Sequence, residues 1–160
     1  MEAGMEFHRE NRIIKCVLDA GELILKSGGE INRVEDTMTR MFLAYGFLRA
    51  DVFTITSSIV VTVYTPDGAI LTQTRRIYGY DMNLERVALV NQLARETCAS
   101  PYEVDELERR LEQIGRSREW PFWFKILLYG ATAAAFAVFY GGGICEAVFA
   151  AVTGMVVCLL

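Results

Sequence analysis

Glu146 stands three positions into an apolar run, Ile144 to Leu160, directly behind Gly141-Gly142-Gly143. An ionisable side chain there either sits at headgroup level or turns into a helix bundle, where it pairs with a proton or a substrate. A second group lies in "GGEINRVED", which places Glu30, Arg33 and Glu35 in the first turns of a helix. A helix N-terminus can hold an anion, and acidic residues there also simply complement the helix dipole. A third lies in "TITSS" and "TQTRR", a dense set of hydroxyls with Arg75 and Arg76 beside them. These make either a polar ligand surface or the ordinary outer face of a β-hairpin. The remaining inventory is thin. There is no GxSxG, no glycine-rich loop ahead of Lys-Ser/Thr and no HExxH. The single histidine, His8, belongs on an exposed N-terminal turn. Cys16, Cys98, Cys145 and Cys158 form no CxxC pair and are expected as small buried hydrophobes. No catalytic set, metal site or cofactor is expected.

The elements that must position these residues divide sharply. Of the 16 Lys/Arg and 20 Asp/Glu, only Lys125 and Glu146 follow Pro121. A charged, amphipathic region therefore precedes one built for a different solvent. The expected boundaries are 1–119 and 120–160, with apolar spans at about 121–140 and 144–160. The first span is long enough to cross a bilayer; the second is marginally short. Trp120, Trp123 and Tyr140 stand where aromatic belts form, and Arg116, Arg118 and Lys125 gather at the entry, which puts that end in the cytoplasm. Lys125 can snorkel. The three glycines permit a tight reversal, and small residues recur at Gly130/Ala134 and Ala150/Gly154, letting helix backbones approach closely. The terminal "VVCLL" lacks a polar exit flank, so a truncated polytopic membrane protein is expected. The first twelve residues contain no apolar core of a secretory signal, and the net charge of −4 argues against nucleic acid as partner.

Within the charged region, Ile13, Ile14, Val17, Leu18, Gly21, Ile24 and Leu25 recur at helical spacing over Glu6 to Ser27, stopped by Gly28-Gly29. A second helix carries Ile31, Val34, Met38, Met41, Phe42 and Tyr45 on one face and Arg33, Asp36 and Arg40 on the other. Period-two alternation then predicts strands around 53–63, a hairpin at Pro66-Asp67-Gly68 and a third strand. A helix over 82–97 is expected to turn Leu84, Val87, Ala88, Asn91 and Ala94 to one side. "SPYE" reads as a capping box, with Ser100 at the N-cap and Glu103 returning to it. In the helix behind it Val104, Leu107, Leu111 and Ile114 face inward, and Glu108, Arg109, Arg110 and Glu112 make a solvated face. The fold class is thus an α+β cytoplasmic domain, ααβββαα, followed by α-helical transmembrane segments.

Five blocks in order, "CVLDAGELILKSGGEINRVEDTMTRM", "FTITSSIVVTV", "PDGAILTQTRR", "NLERVALVNQLAR" and "FYGGGICEAVFAAVTG", resemble the amino-terminal half of the threonine/serine exporter family. The resemblance implies a multi-pass protein of the cell (inner) membrane with a cytoplasmic amino-terminal domain. It implies secondary export of small polar metabolites: threonine and serine in some members, dicarboxylates such as succinate in others. Membrane lipid, a second transporter half, fused or separate, and a homo- or hetero-oligomer are the partners it implies. Positions matching the family pattern are Gly29, Glu30, Arg33, Glu35, Arg75, Asn91 and Glu146, with Glu146 the foremost proton or substrate carboxylate and Glu30, Arg33 and Arg75 further substrate contacts. A membrane-tethered metabolite-sensing module and a hydrolase-like enzyme are the alternatives.

Overall fold

The structure, a computed structural model, describes residues 2–116 and 121–159, with side chains from Phe7 onward in the first of these. Trp120, Arg118 and the joint expected near them lie outside the described residues. The chain forms two compact units, Met1–Ser117 and Arg118–Leu160.

The first unit contains α1 (Glu2–Lys26), α2 (Ile31–Ala44), β1 (Arg49–Ile55), β2 (Ser58–Tyr64), β3 (Ile70–Arg76), α3 (Leu84–Ala99) and α4 (Val104–Gly115). The stripe expected of α1 is buried in full, from Ile13 to Leu25. The helix ends because Gly28, at φ +88°, turns the chain left-handed, so that the Gly29 N–H reaches back to the Ile24 carbonyl at 2.8 Å. A Cβ at Gly29 would lie 2.8 Å from that same oxygen. Both glycines are thus needed by the turn, for different reasons. On α2, Val34, Met38, Met41 and Phe42 are buried. Gly21 lets α2 press close, since a Cβ there would meet the Met38 sulfur at 2.3 Å.

The three strands form an antiparallel sheet in the order β1-β2-β3. Ile59, Val61 and Val63 are fully buried beneath the helices. Their cross-strand partners must share that face, and the register pairs Ile59 with Thr54 and Arg75, and Val61 with Val52 and Gln73. Thr54 is therefore buried, whereas Phe53 and Ile55 are turned outward at 62% and 44% exposure. The hairpin at 66–68 forms as expected: Gly68 is left-handed and the Thr65 N–H bonds the Ala69 carbonyl at 3.0 Å.

Four expectations need correction. No capping box starts α4: Ser100 instead ends α3, its N–H bonding the Glu96 carbonyl at 2.9 Å, and Glu103 is the N-cap residue without a side-chain bond. In α3 the buried face is Arg86, Val87, Val90, Leu93, Ala94 and Thr97, while Leu84 and Ala88 are exposed. That helix has little amphipathic bias of its own, so packing against α1 and α2 chose the face. Glu108 is not merely solvated, because it accepts from Lys15 Nζ at 2.6 Å and from Arg12 at 3.1 Å and so ties α4 to α1. Of the cysteines only Cys16 is buried; Cys98 and Cys145 are exposed and Cys158 is intermediate.

The second unit is a helical hairpin, α5 (Phe122–Phe139) and α6 (Ile144–Val157). Gly141, at φ +88°, reverses the chain and the Gly142 N–H closes on the Ala137 carbonyl at 2.9 Å. The helices touch through their small residues. A Cβ at Gly130 would lie 2.7 Å from Met155 Cε, and one at Gly154 would lie 2.8 Å from both Ala133 Cβ and the Tyr129 carbonyl. Eighteen residues long with a mean hydropathy of 1.6, α5 is the one helix among those described that is long and apolar enough to cross a membrane. With 14 residues, or about 21 Å at the usual rise, α6 falls short of a hydrocarbon core.

Candidate functional site

The sequence-predicted residues occupy separate places. Glu30 is the N-cap residue of α2, with extended backbone and no side-chain cap bond; its carbonyl accepts from the Val34 N–H at 3.0 Å. Glu35 reaches the other way. Its Oε1 accepts from the Thr54 N–H at 2.7 Å, satisfying a backbone donor on the free edge of β1 and fastening α2 beside it. This carboxylate positions the sheet.

Arg75 is the central charge on β3. Its guanidinium bonds Asp19 at 2.8 Å and Glu22 at 3.0 Å, and Glu22 also holds Lys26 at 2.6 Å. Both donors of the fork are therefore filled by α1, and the arrangement locks the third strand to the first helix. Burial pushes the Asp19 carboxyl up, with Arg75 and Lys15 pulling the other way. The neighbouring Arg76 lies outward, 5.9 Å from the Tyr78 ring centre.

Arg33 differs from the others. It is exposed and lines a groove of about 360 Å³ between α2 and α3. Asp36 and Arg40 on the same helix form an exposed ion pair at 2.9 Å. The facing wall brings Asn91, Arg95 and Cys98. Burial raises the Cys98 thiol pKa, and Arg40 opposes the rise. Sequence reasoning placed Arg33 with Asp36 and Arg40 on one helix face but had Asn91 apart from them, and it missed Arg95. The available signal was a matching i, i+3, i+4, i+7 spacing on both helices, which reads as a shared seam only once the helices are known to be adjacent.

Glu146 belongs to the second unit, in the first turn of α6, where it is exposed. A Cβ at Gly143 would lie 2.9 Å from its Oε2, so the bare glycine backbone leaves room for the carboxylate to fold back over the turn.

The chain thus pairs a charged α+β unit with a helical hairpin of apolar exterior, one helix of which is long and apolar enough to cross a membrane. The profile of the family described as "Putative threonine/serine exporter" matches residues 15–160, and the chain belongs to that family. It is 26% identical over 154 residues to the Escherichia coli (strain K12) protein named "Probable succinate transporter subunit YjjP", covering 94% of this chain and 59% of that one. To the protein of the same name from Klebsiella aerogenes it is 29% identical over 130 residues, 81% of this chain and 48% of the other. The chain thus spans about half the length of the curated relatives it matches. No solved structure matches it.

Proposed function

We propose that this chain forms part of a secondary exporter of small polar metabolites, with residues 121–159 in the lipid and residues 2–116 on the cytoplasmic side. The observation that carries the reading is α5: an 18-residue apolar helix whose large side chains turn outward, with Phe136 and Phe139 both exposed. Such a surface needs lipid or further helices around it. Membership of an exporter family and similarity to proteins named as succinate transporter subunits support a dicarboxylate, or threonine and serine, as cargo. The subunit wording of those names supports a second half as partner, in a homo- or hetero-oligomer.

In this reading Glu146 carries a proton or meets the substrate just past the glycine turn. Glu30 and Arg33 offer polar contacts on the water-facing unit, and Arg75 acts through Asp19 and Glu22 to hold that unit's shape. No covalent chemistry is required, so the protein works as a carrier.

Two exposed thiols test the topology. Cys98 lies in α3 and Cys145 in the first turn of α6. A membrane-impermeant maleimide should label Cys98 only from the cytoplasmic side and Cys145 only from the other. Labelling of both from one side would remove α5 as a span. Efflux of succinate and threonine from cells carrying the protein tests the cargo, and unchanged saturable efflux in Glu146→Gln would remove the carboxylate's role.

A further inference from the structure

The groove between α2 and α3 is electrostatically out of character for this chain. The formal net charge is −4, yet the groove gathers the guanidiniums of Arg33, Arg40 and Arg95 against the single carboxylate of Asp36. Asp36 is committed to Arg40 at 2.9 Å. Arg33 on one wall and Arg95 on the other take part in no ion pair among the described residues. Two further groups point to recognition of an anion: the Asn91 amide and the Thr37 hydroxyl, both half-buried on the same lining, can donate hydrogen bonds. The floor at Ala94 is buried and small, so ligand atoms can approach the helix closely.

We propose that this groove is a binding site for a compact dianion, gripped between Arg33 on α2 and Arg95 on α3. The physical reason is charge and shape together. A guanidinium presents a planar fork matched to a carboxylate or phosphate edge, and forks on two walls suit a ligand with two negative charges. A dianion neutralises the surplus; a zwitterionic amino acid would bring its ammonium into the same positive space. A volume of about 360 Å³ is at the small end for ligand sites, which favours a short dicarboxylate or a phosphate. The site goes beyond transport, because it lies wholly within the charged unit and would bind whether or not the protein moves cargo. It gives that unit a ligand to respond to.

The test is isothermal titration of the full chain in detergent with succinate, inorganic phosphate and threonine as separate probes. Saturable binding of succinate or phosphate, and none of threonine, is expected; whichever of the two binds more tightly identifies the dianion as a dicarboxylate or a phosphate. Arg33→Gln with Arg95→Gln should weaken binding about tenfold or more, and Asp36→Asn should tighten it about fivefold by removing the opposing charge. The tightening cannot arise from misfolding. Cys98, on the groove wall, should alkylate more slowly in the presence of the bound probe, with Cys145 unchanged as the internal control. Absence of saturable binding by either anion, equal binding of threonine, or indifference to both sets of variants would overturn the assignment.

Discussion

Phe42 in α2 and Phe139 in α5 are the same side chain at opposite extremes, one fully buried and the other 81% exposed. The contrast holds across both units. In residues 2–116 the large apolar groups converge on a core between α1, α2 and the sheet, and charges decorate the outside. In residues 121–159 the helix contact is made by Gly130 and Gly154, while Phe, Leu and Val point away from it. Water drives the first arrangement, since burying each large apolar side chain contributes about 1.5–3 kcal/mol. With residues 121–159 in lipid, as proposed, that term vanishes between helices, and close backbone approach through small residues takes its place.

The sharpest way to break the comparison is to truncate the two phenylalanines. Phe42→Ala should lower the unfolding free energy of the charged unit by about 3–5 kcal/mol, because besides opening a cavity it removes the edge-on contact with the Phe47 ring, 5.6 Å away. Phe139→Ala should change stability in detergent by less than about 0.5 kcal/mol. Hydrogen exchange read separately on the two segments would show whether the difference has the expected sign. Next in size is the helix contact: Gly154→Leu drives a side chain into Ala133 and the Tyr129 carbonyl and should cost about 1–3 kcal/mol, seen as a lower melting temperature of α5 and α6 by circular dichroism. The equivalent small-to-large change at exposed Gly46 tests backbone conformation alone, since nothing lies within 4 Å of a Cβ there.

Smaller effects sharpen the account of the charged unit. Arg75→Met leaves Asp19 and Glu22 half-buried without their shared cation and should cost about 1–2 kcal/mol by urea unfolding, a figure reduced by solvent screening of the partly exposed pairs. The smallest change is in pH dependence. Lys15 and Arg12 hold the Glu108 carboxyl below the usual glutamate range, so its contribution is present above that range and lost as pH falls through the folded value. Asp19, held high by burial, has the opposite sign: its contribution is full in acid and lost as pH rises through its folded value. Glu108→Gln should therefore lower the neutral plateau of the stability profile and flatten its acid limb, with the two proteins converging in acid. A steeper acid limb in that variant would contradict the assigned partners.

Legibility followed periodicity. The α1 and α2 stripes could be read because seven and six apolar residues repeat at helical spacing with glycine behind them, and backbone geometry converts that spacing into one face. In α3 the apolar residues are spread around the helix, and "SPYE" is locally as good a helix start as any, so reading along the chain misplaced both a face and a boundary. Site residues divided the same way. Glu35 and Arg75 carry the types and positions of ligand contacts, but their bonds go to Thr54 N–H and to Asp19 and Glu22, residues distant in sequence.

What the sequence determined by itself was the near-loss of charge after Pro121, the helical and strand periods, and the glycine turns, because each follows from local residue type and spacing. Tertiary structure alone decided which face of β1 is covered. Alternation makes Phe53 and Thr54 equal candidates, and only the pairing of Thr54 with buried Ile59 turns the phenylalanine outward. It also decided that Arg33 and Arg95, 62 positions apart in the numbering, line one groove. A charge has no periodicity that reveals its neighbours; they are set by how two helices pack.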